Sequence, residues 1–314
     1  MVEDVGRTQR FRIPIPSSRR SWQAVLVRSL LEPTRRAVKY LPARQLTSRD
    51  LPQVLRVLDA DPVASCMVAA RLEEFGLDAR CGYGELWSRG GPAESLCFSG
   101  VNMVPLHGSP EALRAFADRA LRWPRVCSSV VGRQELALPL WEMLSPQWGP
   151  AREIRRDQPL LALAEPPLAT PDRQVRRVRP AEIERYLAAA IAMFIEEVGI
   201  DPRAGDGGRG YRRRISSLIE SGRAWARFED GEVVYKAEVG SLSRRTGQIQ
   251  GVWVHPDQRG SGLGTSGTAA VASAVVASGR TASLYVNDYN TIARRAYSRV
   301  GFRQIATFAT VLLN

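Results

Sequence analysis

The residues with the clearest chemical potential form a glycine-rich turn in the last quarter of the chain. Residues 252–264 read Val-Trp-Val-His-Pro-Asp-Gln-Arg-Gly-Ser-Gly-Leu-Gly, between a strand-like run and a helix of small residues. Glycines permit the close approach of a ligand, a helix N-terminus favours negative charge, and Arg259 adds a positive side chain. The turn therefore predicts a phosphate or pyrophosphate site, although a strand-to-helix turn without a ligand can carry the same glycines.

A second pattern follows on the next predicted helix. It reads Asn290-x-x-Ala293-x-x-x-Tyr297-x-x-x-Gly301-Phe302. Taken alone, Tyr297 is typical of a half-buried aromatic residue on an amphipathic helix. Its phenol, with an ordinary pKa of about 10, is also a suitable proton donor for a thiolate leaving group.

Together, the two patterns resemble the acetyl-CoA-binding signature of the GNAT N-acetyltransferase superfamily. Residues 259–264 resemble its R-x-x-G-x-G/A loop after a V-x-V-x-P strand end, and residues 290–302 resemble its N-x-x-A-x-x-x-Y-x-x-x-G-F helix. Both occur in the family's order and on matching elements, which is more specific than either pattern alone. The resemblance implies acetyl-CoA as cosubstrate.

The resemblance also implies a role for each matched position. Backbone groups of Val252 and Val254 would pair with the pantetheine arm, and a strand N–H near Val254 would polarise the thioester carbonyl. Tyr297 would protonate the departing thiolate. The implied cofactor-binding positions are Val252, Trp253, Val254, Arg259, Gly260, Ser261, Gly262, Leu263, Gly264, Thr265, Asn287, Asn290 and Tyr297.

Acetyl transfer to an amine also needs a group that removes the ammonium proton. Some GNAT proteins carry a glutamate in the strand before the tyrosine helix, but residues 283–287 read Ser-Leu-Tyr-Val-Asn here. The candidates are Glu238, on a strand expected beside the cofactor strand, and Glu196 and Glu197, at the end of a helix expected to shape the acceptor pocket. A solvated surface position is an equally good interpretation of each. His255 is expected to line the loop.

These residues are expected on a domain that follows a proline-rich linker. Residues 165–173 hold three prolines, which exclude a helix interior and a central strand. From residue 174 onward, apolar periodicity and turn residues predict the order βααβββαβαβ. That order indicates an α/β (α+β) fold, with residues 174–314 as the catalytic domain around a mixed central β-sheet flanked by helices.

Residues 43–164 repeat this pattern in outline and predict a second, degenerate GNAT-like domain. In place of the phosphate loop stands Leu106-His-Gly-Ser-Pro110, with one glycine and a proline that lacks an N–H. Trp141 falls where the second domain has Tyr297. We expect no cofactor here, and the half either forms a wall of the acceptor site or only supports the catalytic half. The arrangement resembles tandem GNAT proteins, including some actinobacterial two-domain acetyltransferases.

Composition and charge restrict the class of protein to which the chain can belong. The formal charge is +12, and the first fifty residues hold eleven basic against four acidic side chains. We interpret residues 1–42 as a solvated, loosely ordered basic arm and expect no nucleic-acid partner. No apolar run of about 18 residues predicts a membrane span. Four cysteines without C-x-x-C spacing and two histidines predict no metal site and fit a reducing cytoplasm.

Two functions are consistent with these patterns. The first is an N-acetyltransferase that moves acetyl from acetyl-CoA to a primary amine by direct attack in a ternary complex. Neither motif contains a cysteine, so no acyl-enzyme is indicated. The amine could belong to a small molecule or to a protein. The alternative is a non-catalytic acyl-CoA-binding regulatory protein, and the intact Tyr297 favours the enzyme.

Overall fold

The computed structural model describes residues 41–77 and 84–314. The predicted arm, residues 1–42, lies outside them except for its last two residues, as does Cys81. The described chain from residue 41 forms one compact unit built on a twelve-stranded mixed sheet. The predicted α/β class is confirmed.

The helices and strands follow the same order, βααβββαβαβ, in both halves of the chain. The first half contains β1 (Arg44–Gln45), α1 (Leu51–Ala60), α2 (Cys66–Phe75), β2 (Glu85–Ser88), β3 (Leu96–Ser99), β4 (Asn102–His107), α3 (Pro110–Ala120), β5 (Ser129–Arg133), α4 (Gln134–Trp148) and β6 (Glu153–Leu163). The second half contains β7 (Arg176–Arg177), α5 (Ile183–Val198), α6 (Arg209–Glu220), β8 (Ala224–Glu229), β9 (Glu232–Leu242), β10 (Thr246–Val254), α7 (Leu263–Ala277), β11 (Thr281–Tyr285), α8 (Thr291–Val300) and β12 (Arg303–Leu312).

The strand order shows that the two halves exchange their last strands. The order is β1-β2-β3-β4-β5-β12-β6-β11-β10-β9-β8-β7. Strand β6, from the first half, pairs with β11, whereas β12, from the second half, pairs with β5. The two exchanged strands also pair with each other along most of their length. One continuous sheet therefore joins the halves, although residues 165–172 between them form neither helix nor strand.

Helices cover both faces of the sheet, as the alternation of side chains along the strands requires. In β5, Val130 packs in the cluster under α3 and α4, and Val131 packs in the cluster under α1 and α2. In β6, Leu160 joins the α1 and α2 cluster, and Leu161 joins the cluster under α7 and α8. Helices α5 and α6 pack on a fourth cluster that includes Ala226. Consequently α1, α2, α5 and α6 share one face, here called the acceptor face.

Among the helices of the described ranges, none has the length and hydrophobicity of a membrane-spanning segment.

Candidate active site

The parallel strands β10 and β11 separate part-way along their length. They pair only through Thr246–Gln248 and Thr281–Ser283. Further along, the pairing of β10 with β9 shifts register between Gln250 and Trp253, where Gly251 has a φ of 57°. Glycine adopts this left-handed conformation without the strain that a side chain would add. The bulge turns β10 away from β11 and opens a gap between the two strands.

A cavity of about 540 Å³ occupies this gap and continues on the acceptor face. Its lining from the second half includes Met193, Glu196, Glu197, Ile249, Gln250, Gly251, Val252, Trp253, Leu284, Tyr285, Val286, Asn287, Tyr289, Asn290, Tyr297, Thr310 and Leu312. Its lining from the first half is Met67, Asn102, Ser129, Val131, Arg155 and Gln158. Both halves of the chain therefore form the walls of one cavity.

Tyr297 reaches this cavity from α8. The side chain of Asn290 caps the helix, because its Oδ1 accepts a hydrogen bond of 3.1 Å from the N–H of Ala293. The Tyr297 ring is 8% exposed and lies edge-on to Phe302. Burial raises the pKa of Tyr297, and the negative charge of Glu197 raises it further. The phenol therefore remains protonated at neutral pH.

The N-terminus of α7 is open. Its cap residue, Gly262, has a φ of 89° and supplies no side-chain cap. A Cβ placed on Gly260 or Gly262 would meet no atom within 4 Å. Leu263 is buried and anchors the first turn in the core, whereas the N–H of Thr265 bonds to the carbonyl of Gly262. This geometry leaves room for an anion at the positive end of the helix.

The equivalent helix of the first half, α3, is closed. Ser109 Oγ accepts a hydrogen bond from the N–H of Ala112, and its hydroxyl donates to Glu111 at 2.6 Å. A Cβ on Gly108 would lie 3.0 Å from the Cβ of Ala112. The helix end thus carries its own acid and its own cap, which leaves less room and less positive charge for a phosphate. Trp141 lies buried in the core there.

Glu238, the first candidate base, lies in a buried ion pair and does not line the cavity. Its Oε1 accepts a hydrogen bond of 2.9 Å from Lys236 Nζ, and Arg214 Nη1 lies 3.3 Å from its Oε2. Burial alone would raise the pKa of Glu238, but the two cations hold it below its usual range. Lys236 Nζ also donates to the carbonyl of Gly251 at 3.1 Å. The ion pair therefore stabilises the bulge through this hydrogen bond to the Gly251 carbonyl.

Glu196 connects the acceptor helix α5 to the glycine-rich loop. Its Oε2 accepts hydrogen bonds from Arg259 Nη2 at 2.7 Å and from the indole of Trp253 at 3.2 Å. The guanidinium of Arg259 also donates to the carbonyl of Val254. The predicted phosphate-binding arginine thus points towards α5 and pairs with one of the predicted acceptor-site carboxylates.

Glu197, the next residue on α5, faces a first-half strand. Arg155 on β6 donates to the Glu197 carbonyl at 3.0 Å, and its Nη1 lies 3.8 Å from Glu197 Oε1. The Arg155 side chain is 10% exposed and also pairs with Glu153. The exchanged strand therefore fixes the C-terminal end of the acceptor helix beside Tyr297.

A chain of hydrogen bonds forms the polar wall of the cavity. Thr310 on β12 donates to Gln158 Oε1 at 2.6 Å, and Gln158 Nε2 donates to Asn287 Oδ1 at 2.8 Å. Asn287 Nδ2 then donates to Tyr289 Oη at 2.8 Å. Sequence patterns did not identify Gln158 or Arg155 as site residues, because their strand joins the second half only through the exchange.

The remaining predicted residues lie on the loop after β10 and at the start of α7, and they do not line the cavity. Ser261 Oγ donates to the Gln258 carbonyl within the loop, and a Cβ placed on Gly264 would lie 3.6 Å from the side chain of Val254. His255 stacks edge-on to Trp253, and its ring accepts a hydrogen bond from the N–H of Asp257. Within the described ranges, no group of three or more His, Cys, Asp or Glu side chains could hold a metal ion.

Two family models match parts of the chain. Residues 84–186 match a domain of unknown function, DUF4081, and residues 233–311 match the family described as FR47-like protein. The first match covers most of the half with the closed helix, and the second covers the glycine-rich loop and Tyr297. No curated protein matches the chain.

Solved structures show the same fold at low sequence identity. An acetyltransferase from the GNAT family of Colwellia psychrerythraea aligns over 87% of this chain and 99% of its own, with 10% identity and a TM-score of 0.53. A Drosophila protein aligns over the same shares with 12% identity and a TM-score of 0.61. A GCN5-related N-acetyltransferase from Sphaerobacter thermophilus covers 87% of this chain and 96% of its own, with 18% identity and a TM-score of 0.51. These similarities confirm the predicted GNAT-like fold.

Proposed function

We propose that this chain, which has the GNAT fold, transfers the acetyl group of acetyl-CoA to a primary amine. One observation carries the proposal: the cavity between the separated strands β10 and β11 holds a buried, protonated Tyr297. A thioester threaded through this gap would present its sulfur near a proton donor. A protein that only binds acyl-CoA has no need of that donor, so the arrangement favours the enzyme over the regulatory alternative.

The residues at the gap fit acetyl-CoA. The open start of α7, at Gly260 and Gly262, offers backbone N–H groups and space to a pyrophosphate. The bulged segment of β10 has backbone groups that do not pair with β11 and are free to pair with the amides of the pantetheine arm. Acetyl-CoA supplies the activated acetyl group. The residues at the gap bind it and orient its carbonyl towards the acceptor face.

The carboxylates at the end of α5 are the candidates for removing a proton from the amine. An ammonium group must lose a proton before its nitrogen can attack. We propose that Glu197 accepts that proton through a water molecule. Glu196 is held by Arg259 and Trp253, and Glu238 is held by Lys236 away from the cavity. As the C–N bond forms and the C–S bond breaks, Tyr297 donates its proton to the departing sulfur. The nitrogen then loses its second proton, and the Tyr297 phenol regains a proton through solvent.

The test measures CoA release from acetyl-CoA by the full chain across a panel of amines. Tyr297→Phe is expected to lower kcat at least 100-fold while the Kd for acetyl-CoA changes little, because the phenol acts only as sulfur leaves. Tyr211→Phe is the matched control, since its hydroxyl bonds to the Ala190 carbonyl outside the cavity.

Two results would contradict the proposal. If acetyl-CoA binds but no amine accelerates CoA release, the regulatory function is correct. If the Tyr297 and Tyr211 variants lose the same activity, Tyr297 is not the proton donor. For the base, Glu197→Gln should lower kcat with a changed pH profile, whereas Glu184→Gln, on the exposed side of the same helix, should not.

A further inference from the structure

The cavity extends well beyond the gap that would hold the thioester. It contacts Tyr285 on β11, Gln158 on β6, Thr310 on β12, Ser129 on β5 and Asn102 on β4. These strands are consecutive neighbours in the sheet. Neighbouring strands lie about 4.8 Å apart, so four steps correspond to a span of about 19 Å across the acceptor face.

The shape of this space restricts what can fill it. A volume of about 540 Å³ drawn out over ~19 Å is a narrow groove that suits an extended chain better than a compact ring system. Three of the four steps, or about 14 Å, lie beyond β6. An extended peptide rises about 3.3 Å per residue, so this part is long enough for about four residues.

Charge is concentrated at one end of the groove. Glu197, whose charge acts on Tyr297, lies at the end near that residue, together with its neighbour Glu196 and its partner Arg155. At the far end, the groove is lined by uncharged side chains, and Asn102 Nδ2 donates to Ser129 Oγ at 2.8 Å. The near end therefore suits a cationic amine, and the far end offers hydrogen bonds to an uncharged chain.

We propose that the acceptor is a peptide-like amine, whose free amino group lies at Tyr297 and whose extended, uncharged tail crosses β6, β12, β5 and β4. This inference rests on the proposed acetyl transfer and names its substrate class. It also gives the first half of the chain a direct role, because Ser129 and Asn102 bind the tail while residues of the second half carry out the chemistry.

The test uses the full-length protein and compares acceptors of increasing length. The series is glycinamide, then Gly-Ser, Gly-Ser-Gly, Gly-Ser-Gly-Ser and Gly-Ser-Gly-Ser-Gly as C-terminal amides, assayed by CoA release at saturating acetyl-CoA. The value of kcat/KM should rise at least 10-fold from glycinamide to the tetrapeptide and then level off. Replacing the serines with aspartates should remove most of that gain, because the far end has no cation for them.

Two variants test the far end of the groove. Ser129→Phe fills it, and Asn102→Ala removes its amide without adding volume. Both should remove the length-dependent gain, so that kcat/KM for the tetrapeptide falls to the value for glycinamide in the same variant. Ser128→Phe is the matched control, because Ser128 is the exposed neighbour just before β5. If Ser129→Phe fails to fold, Asn102→Ala still decides the question.

Each contrary result has a separate meaning. Equal kcat/KM across the length series, or an equal loss for glycinamide and the tetrapeptide in Asn102→Ala, overturns the peptide groove and leaves acetyl transfer intact. A hexylamine acceptor as good as the tetrapeptide overturns the peptide-like class. No CoA release with any amine overturns the proposed function and the groove with it.

Discussion

Replacing Lys236 with methionine removes the cation that neutralises an almost fully buried carboxylate. Lys236 is 0% and Glu238 1% exposed. Breaking a buried ion pair by removing one partner costs about 3–5 kcal/mol, because the remaining charge is uncompensated. Arg214, 3.3 Å from Glu238, still offers a positive charge, but its side chain is 46% exposed and its field is weakened by water. We therefore expect a loss at the lower end, about 3 kcal/mol at pH 8.

The double variant Lys236→Met, Glu238→Met separates the charge from the packing. Replacing a whole buried ion pair with apolar groups of similar volume is often close to neutral, so the double variant should be more stable than the single one. The carbonyl of Gly251 loses its lysine donor in both variants, and that cost is common to them.

The pH dependence has a defined sign. In the wild type the pKa of Glu238 lies below its usual range, so its contribution to stability is present at neutral pH and lost as the pH falls. Without Lys236, burial should raise the pKa of Glu238 above the unfolded value, and the folded protein can relieve the buried charge by taking up a proton. The difference between the wild type and Lys236→Met should therefore shrink between about pH 8 and pH 5.

Urea unfolding followed by tryptophan fluorescence measures these differences, provided that the denaturant slope is the same in all variants. A Lys236→Met protein within about 1 kcal/mol of the wild type at pH 8 would refute the reasoning. So would a double variant that is less stable than the single one.

Two further predictions concern the cofactor loop. Glu196→Gln should tighten acetyl-CoA binding about 3- to 10-fold, because Arg259 then has no anionic partner that competes with the pyrophosphate. The control variant Glu184→Gln should leave the affinity unchanged. Calorimetric titration measures both affinities, and equal values for the two variants would contradict the competition. Gly262→Ala should lose about 1 kcal/mol of stability through its positive φ and should also weaken acetyl-CoA binding. Gly279→Ala, with a φ of 76° and the same open surroundings, should lose similar stability and leave binding unchanged; a similar loss of affinity in both variants would show that the effect is not local to the loop.

Local signals were sufficient to predict α8. Asn290 caps it, Gly301 ends it in the left-handed conformation, and the structure places the helix, Thr291–Val300, within the pattern of residues 290–302. The short strand β2 was not predicted, because four residues between glycine- and serine-rich segments carry too little periodicity. The glycine-rich loop and the tyrosine helix were likewise visible as contiguous motifs; the structure places the loop after the end of β10 and Tyr297 at the gap beside that strand.

The electrostatic partners could not be read from contiguous motifs. Lys236 and Glu238 are two apart on a strand, so alternation places them on the same face, and this opposite-charge spacing is the one signal that could have indicated the pair. Arg155 has the same spacing with Glu153, but no contiguous pattern indicates its contact with Glu197, which joins residues 42 positions apart across an exchanged strand.

The exchange also determines how the first half can be tested. Removing the chain up to residue 163 would take β6 out of the middle of the sheet, where it separates β12 from β11. It would also remove β5, so β12 would lose both of its neighbours and β11 would become an unpaired edge. Loss of activity in such a truncation would report a broken sheet and nothing about the acceptor. Substitutions at Asn102 and Arg155 keep the sheet and change only side-chain contacts, so a shift in acceptor preference with unchanged acetyl-CoA binding would assign a role in recognition to the first half.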